Sequence, residues 1–563
     1  MNYPEVLRSM LMINEEACGS GMLSRRGFIA GAGAAGAATL LSGCTAGSGE
    51  GGSAPSGSGS EGASSQVIVA MNAGSEPAAG FDPLVAWGCG EHVHEPLIQS
   101  TLITTDENLE FINDLATGYS CSDDGLTWTF ELRDDVAFTD GEPLTASDVA
   151  FTVNSAIQSD IFEGDLSMVD EAVAVNDTVA ELHLNKPYNA LLYTLAVLGI
   201  VPEHAYGDGY GSAPIGSGRY MLERWDRGQQ AIFSANPDYY GEPPLMERVV
   251  VVFMEEDAAL AAVQAGEVDI AYTYATHAQQ SFDGYELVSY ATVDSRGISL
   301  PTQPAGGTKS EGGTSYAMGN DVTSDLSVRR ALTYAIDRDA VIENVLSGYG
   351  KPAYSVSDDM PWSSDDMKVE LDRDLAARLL DDAGWAIASD GVRAKDGVRA
   401  AFDIWYSSDD SARQAIANEL SNQFARIGIE ASPRGGSWDE IYSHQYEQPV
   451  LWGWGSNSPI EVYALNYSTG WGNYACYENA AIDAHLDEAL AQQNIEDSYA
   501  YWQLAAWDGE NGFAPKGAAT WAWIANVDHL YFKREGLVVA DQKPHPHGHG
   551  WSLVNNVDRW EWS

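Results

Sequence analysis

Hydrophobic positions along the chain follow two periods. Thr127–Leu132 (Thr-Trp-Thr-Phe-Glu-Leu) alternates polar and apolar residues, the period of a half-buried strand. Asp134-Asp135 and Asp140-Gly141 mark turns after it. Within Glu247–Met254 the run Val249–Phe253 is β-branched and unbroken, which predicts a strand buried on both faces. Asp257 is the expected N-cap of a helix over Ala258–Ala265, with Gly266 just past its end and Val268–Ala271 opening another strand. Strand, helix, strand in that order predicts a parallel pair. Farther on, Val328, Ala331, Leu332, Ala335 and Ile336 make one apolar stripe of a single helix expected over 325–346 and stopped by Gly348. A second helix is expected over Asp374–Ala383, ending at Gly384. Residues 302–322, rich in Gly, Ser and Thr, read as a surface loop, and the echo of Asp-Gly-Val-Arg-Ala within 390–400 reads as a hairpin. The body is therefore mixed α and β.

Composition narrows the classes. The 563 residues hold 82 acidic and 29 basic side chains, a formal charge of −53, with 45% hydrophobic residues. That apolar content excludes a wholly disordered acidic chain. The charge argues against nucleic-acid binding, since little here could neutralise a run of phosphates, and against a polybasic membrane-surface protein. A length of this order suggests about two to four domains.

The first 44 residues read as an address. Ser24-Arg25-Arg26-Gly27-Phe28-Ile29 sets an arginine pair before the short apolar stretch Ala30–Leu41, and Leu41-Ser42-Gly43-Cys44 follows, the layout of a secretory signal. The arginine pair resembles a twin-arginine signal, with ordinary Sec export as the alternative. Leu-Ser-Gly-Cys resembles a bacterial lipobox, which makes Cys44 the lipidated first residue. Gly31–Gly36 fits the dinucleotide fingerprint G-x-G-x-x-G, but it lies inside the signal, without the preceding strand that chemistry needs. Residues 45–65, almost all Gly, Ser, Ala and Thr, form a flexible tether. The expectation is an exported cell-membrane lipoprotein facing the outside or the periplasm, bound to the membrane through its lipid anchor. Cys89, Cys121 and Cys476 remain in the body, enough for at most one internal disulfide, and no C-x-x-C occurs. No G-x-S-x-G, H-E-x-x-H or phosphate-binding loop occurs either, so the chain is not read as an enzyme and no cofactor is required.

A family resemblance rests on spaced motifs. Gly125–Phe138 (Gly-Leu-Thr-Trp-Thr-Phe-Glu-Leu-Arg-Asp-Asp-Val-Ala-Phe) and Asp140–Val149 come first. Pro214–Tyr220, Asn236–Gly241, Ala265–Asp269, Val328–Ala331 with Ala335–Arg338, and Leu379–Trp385 follow in order. Over about residues 66–563 the chain resembles the family 5 extracellular solute-binding proteins, the peptide/nickel class of ABC importer receptors. One departure is Arg219, where the family usually has Pro. The resemblance implies an α/β, two-lobed, periplasmic-binding-protein-like class II fold with an extra domain on the first lobe. In that reading 66–98, 212–290 and 527–563 make the core of lobe 1, 99–211 the extra domain and 291–526 lobe 2. It further implies a receptor that closes on a peptide-like or metal-chelate (metallophore) ligand by hinge motion and delivers it to ABC permease and ATPase subunits. The alternative is a receptor-fold lipoprotein with a signalling or adhesion role and no transport.

Ligand residues follow from the same resemblance. Peptide binders of the family carry a Trp followed three residues later by an Asp that anchors the peptide ammonium. Here Trp454 is followed by Asn457, which keeps an acceptor and loses the charge-assisted part of the bond. Nickel-chelate binders line the cleft near a segment that reads here Glu91-His92-Val93-His94-Glu95-Pro96-Leu97. His92 and His94 are therefore either ligand contacts or ordinary polar residues on one strand. The nickel branch's Arg is missing around Leu198–Val201, and its later His is replaced near Trp471. Trp454 and Trp471 are candidate cleft walls, with core packing as the alternative. His545, His547 and His549, between Pro and Gly residues, join His92 as candidate metal ligands, with a surface loop as the bland reading.

Overall fold

The computed structural model describes residues 65–85, 95–106, 108–159, 162, 164–311, 314–455, 458–542 and 550–563. Its largest sheet has seven strands in the order 285–290, 529–534, 270–273, 66–72, 248–254, 230–235 and 220–226. Strand Gln66–Asn72 lies between Arg248–Met254 and Ile270–Thr273 and is parallel to both. The predicted parallel pair thus exists, with a third strand inserted between its members. Alternation sorts the side chains. Val67, Val69 and Met71 face a core that includes Trp551 and Trp560 from the end of the chain. Ala70 faces the other side, against Ala262 and Val263 of the crossover helix. Each buried Val contributes about 1.5–3 kcal/mol, which explains the unbroken apolar run.

The crossover helix spans Glu256–Ala265 and starts before the expected residue. Glu255 is its N-cap, and Glu256 and Asp257 stand in the first turn, where the exposed N–H groups favour negative charge. Gly266 closes it with φ 70°, a left-handed conformation that glycine adopts without a Cβ clash.

Between these strands the chain builds a four-stranded antiparallel sheet, ordered 116–121, 127–132, 179–184 and 169–176. Helix Ala146–Gln158 packs on it, entered through a reciprocal capping box of Thr145 and Asp148. The other lobe holds a sheet ordered 350–352, 521–527, 295–299 and 451–454, and a parallel pair 401–407 with 430–436. Two neighbouring segments link this lobe to the large sheet, one at 291–294 and one at Asp528. Thr292 Oγ1 donates to Val527 O at 2.7 Å, and buried His529 lies 3.0 Å from Asp294. The two crossings are thus bonded to each other, as a hinge requires.

The helix expected over 325–346 is two helices, Leu326–Ala335 and Arg338–Asn344. Gln423, fully buried, breaks it. Its Oε1 accepts from Asp337 N at 2.7 Å and its Nε2 donates to Asp337 O at 3.3 Å, replacing the bonds the helix gives up. Asp337 caps the second helix by accepting from Ala340 N. Residues 302–322 are not simply a loop: Gly307–Glu311 pairs antiparallel with Thr314–Met318, and Lys309 sits 4.1 Å over the Tyr446 ring. The echo at 390–400 does form a hairpin, Arg393–Lys395 with Val398–Arg399, turned by Asp396 and Gly397 at φ 52° and 88°. The helix expected over 374–383 spans Arg373–Asp382.

Arg219, the family departure, is mostly buried and bridges Asp558 at 2.8 Å and Glu95 at 3.6 Å. Burial opposes its charge, but Asp558 and Glu95 outweigh that and hold the guanidinium above its ordinary pKa. Cys121 and Cys476 are free thiols. Burial pushes the Cys476 thiol up to about 11. Among the described residues no helix is long and apolar enough to cross a membrane.

Candidate ligand cleft

The site is built on strand Leu451–Trp454. Trp452 and Trp454 stand two residues apart, so their side chains share a face. Trp452 stacks on Tyr474 at 4.2 Å with ring planes 11° apart, and on Trp438 at 6.0 Å. Trp454 meets Trp471 at 5.4 Å and Tyr474 at 6.2 Å. Tyr474 meets Trp521, which stacks on Trp523 at 4.9 Å. The result is one continuous aromatic wall. Its outer ring, Trp471, is 46% exposed, while Trp454 is 5% exposed. The two tryptophans singled out in the sequence are therefore in contact, one at the rim and one within. Trp452 Nε1 donates to Ser299 Oγ at 3.1 Å, whereas the buried Trp454 Nε1 has no partner among the described residues.

Gly453, between them, faces the opposite way. A Cβ there would lie 2.5 Å from Arg413 Nη2 and 2.7 Å from Arg296 Nη1, so any side chain at this position must displace both guanidinium groups. Arg296 pairs with Asp294. Arg413 pairs with Asp410 at 3.3 Å and lies 5.2 Å over the Trp438 ring. Burial disfavours the Arg296 charge, yet Asp294 and Asp410 more than offset it and raise its pKa. Asp410 also caps helix Ser411–Ala425, accepting from Arg413 N at 2.8 Å. Tyr272 and Tyr274, from the large sheet, sense these charges, and burial pushes both phenols well up.

Beside this charged cluster the two lobes are bonded together. Ser411 Oγ donates to Glu256 Oε1 at 2.9 Å and lies 2.7 Å from Thr276 Oγ1. His277 Nε2 is 2.7 Å from the same Glu256 oxygen. Burial raises the Glu256 pKa against the lowering effects of Ser411 and His277. Ser411 of the second lobe is thus bonded to two side chains of the first, Glu256 and Thr276, and His277 braces Glu256.

His92, His94, Asn457, Cys44, His545, His547 and His549 lie outside the described residues. Among the described residues no three His, Cys, Asp or Glu side chains form a group that could hold a metal ion. Sequence reasoning missed Trp438, Trp452, Tyr474, Trp521 and Trp523, and also Arg296, Arg413, Glu256 and Ser411. Two of these had a readable signal: Trp452-Gly453-Trp454 and Trp521-Ala522-Trp523 each put indoles at strand spacing, on one face.

Comparison with known proteins decides the family. Residues 110–475 match the pattern of the bacterial extracellular solute-binding proteins, family 5. The chain belongs to this family. Protein XP55 of Streptomyces lividans is 32% identical over 485 residues, covering 82% of this chain and 84% of that protein. Among solved structures, NikZ from Campylobacter jejuni in complex with Ni(L-His) superposes with a TM-score of 0.74 at 24% identity, covering 88% of this chain and 99% of the other. AppA from Bacillus subtilis, in complex with a nonapeptide, gives 0.71 at 23% identity, with coverage of 89% and 99%. The two-lobed periplasmic-binding-protein fold with mixed α and β content is shared with both.

Proposed function

We propose that this family 5 member is the receptor of an ABC importer, capturing a peptide-like or metal-chelate ligand between its lobes and delivering it to the membrane permease and its ATPase. The observation that carries this reading is the aromatic wall of Trp454, Tyr474 and Trp471, together with the bonded seam of Ser411, Glu256 and Thr276 between the lobes. A wall of rings supplies apolar area and stacking for a ligand, and a few hydrogen bonds across a hinge make closure reversible. Peptide and nickel-chelate relatives on the same fold support the ligand classes. Within this reading 66–98, 212–290 and 527–563 form the lobe 1 core, 99–211 the extra domain and 291–526 lobe 2. Trp454, Trp471, His92, His94 and Asn457 are the ligand contacts. The lipobox reading of Cys44 and the tether over 45–65 hold the receptor at the membrane surface after export. The chain binds and carries and does not catalyse.

The test is a calorimetric panel of free dipeptides, longer peptides and nickel–histidine complexes, each paired with small-angle scattering. Saturable binding of one class with compaction of the protein is expected. Chemical turnover of a bound compound, or no binding by any class, would contradict the reading.

A further inference from the structure

A small cavity lies off the inner end of the aromatic wall. It measures about 20 Å³ and is lined by Trp362, Trp502, Trp521, Trp523, Ser355 and Ser357, among others. A cavity of this size holds a water-sized group rather than a whole ligand. Trp362 and Trp521 are each 4% exposed, and the indole N–H of each is buried with no partner among the described residues. Trp502 differs: its N–H donates to Ser498 Oγ at 2.9 Å. A buried donor left unpaired costs about 1–3 kcal/mol, so the two indoles, both of residues that line this cavity, call for an acceptor.

Neither indole N–H reaches a hydrogen-bond acceptor among the described residues. Ser355 Oγ donates to Asp358 at 3.0 Å and accepts from Ser357 N at 3.1 Å. Asp358 is further engaged by Tyr354 N at 2.7 Å. Ser364 Oγ accepts from Asp366 N at 3.3 Å. The wall is also held in place. Arg338 Nε donates to Ala353 O at 2.9 Å and to Trp523 O at 3.0 Å, tying the serine segment to the tryptophan strand. Trp362 is braced by Tyr193 of helix Leu191–Leu195, 6.4 Å away edge-on, and by Tyr499 of helix Ile495–Ala506 at 6.2 Å. Trp521 belongs both to this cavity and to the aromatic wall, which sets the cavity directly beside the wall.

We propose that the cavity receives a carboxylate or amide carbonyl oxygen of the ligand, bound by the indole N–H groups of Trp362 and Trp521. This rests on the solute-binding reading and adds the chemistry at one end of the ligand. The two unpartnered indole N–H groups favour an oxygen acceptor over an ammonium group, which has no lone pair to offer. It therefore fits a site whose ammonium anchor is replaced by Asn457.

The test follows the indole N–H resonances of the whole chain labelled with ¹⁵N-tryptophan. Trp362→Phe and Trp521→Phe assign the two signals and keep a ring in place. Acetate, acetamide and methylammonium chloride are titrated at constant ionic strength. Both signals are expected to shift saturably with acetate and acetamide and to stay still with methylammonium. Each Phe variant should lower acetate affinity on the order of tenfold, the size expected for a bond to a charged acceptor. The wild-type titration stands even if a variant folds poorly. Shifts with methylammonium equal to those with acetate would overturn the proposal. So would signals that exchange with solvent and ignore all three probes, which would make the cavity a water site only. If a ligand carried from the host binds both Phe variants with unchanged affinity, this proposal fails while the solute-binding reading stands. If the wild-type chain binds no solute, that reading fails instead.

Discussion

On one face of strand Leu451–Trp454 stand Trp452 and Trp454, stacked into a wall of rings. On the other, Gly453 leaves space for Arg413 and Arg296, each with its own carboxylate. The ring face keeps donors in reserve at Trp454 and, along the wall, at Trp521. Tyr272 and Tyr274 sit close enough to the charged cluster to feel Asp410 and its arginine partners. A three-residue step thus separates two tasks. Rings with spare N–H groups suit a changing occupant, because stacking tolerates many shapes. Buried charges suit a fixed partner, because an unpaired one is costly.

The comparison breaks first at Trp452. Trp452→Ala should cost about 3–5 kcal/mol in denaturant unfolding, the range for removing a buried Trp, because Tyr474 and Trp438 lose their shared neighbour. A loss below one kcal/mol (a rough threshold set by typical mutational scatter) would mean the wall is a surface feature. Next is Gly453→Ala. Its Cβ would press on two paired guanidinium groups and cost about 1–3 kcal/mol by overpacking. The ring-face variant Trp454→Phe, by contrast, should weaken ligand more than it weakens the fold. Equal effects on stability and ligand affinity in both variants would erase the distinction between the faces.

Smaller effects are expected at the seam. Ser411→Ala should weaken closure by about 0.5–1.5 kcal/mol, the net worth of an ordinary hydrogen bond, seen as a larger radius of gyration in scattering. The Glu256 carboxyl is raised above its ordinary value by burial, so the folded chain binds the proton more readily than the unfolded one. The stability linked to this raised pKa is therefore fully present below the ordinary carboxylate value and is lost as pH rises through the raised one, while Ser411 and His277 act the other way by favouring the ionised carboxyl. Glu256→Gln should flatten this dependence, and a pH-independent wild type would remove Glu256 from the seam. The smallest expected signal concerns free dipeptides. On the proposed reading of Asn457 as the neutral replacement of the peptide anchor, calorimetry should detect no binding of unblocked dipeptides, and Asn457→Asp should introduce it. Micromolar binding by the wild type would refute that.

Much of the fold was legible because burial writes a period into the sequence. The alternation of Thr127–Leu132 and the run Val249–Phe253 both became strands. The helix over 325–346 was misread because its stripe continues through Ile336, while the break comes from Gln423, 86 residues away, which no local pattern reports. The hairpin within 302–322 was hidden by composition. Of the site, Trp454 and Trp471 were visible through family spacing, but their contact with Tyr474 is a product of tertiary packing. The charged face was invisible for a similar reason. Arg296, Arg413 and Gly453 come from three elements: the strand register sets Arg296 opposite Gly453, and the packing of helix Ser411–Ala425 brings Arg413 to the same place.

The central claim is that a solute is held against the ring face between two lobes. The direct measurement is native mass spectrometry of the chain purified from its own host, beside a Trp454→Ala variant prepared in the same way. The account predicts a small molecule bound non-covalently to the wild type and lost, or largely lost, from the variant, with both proteins folded. A wild type that carries nothing and binds none of the candidate solutes, or a variant that keeps the same molecule at the same occupancy, would contradict it.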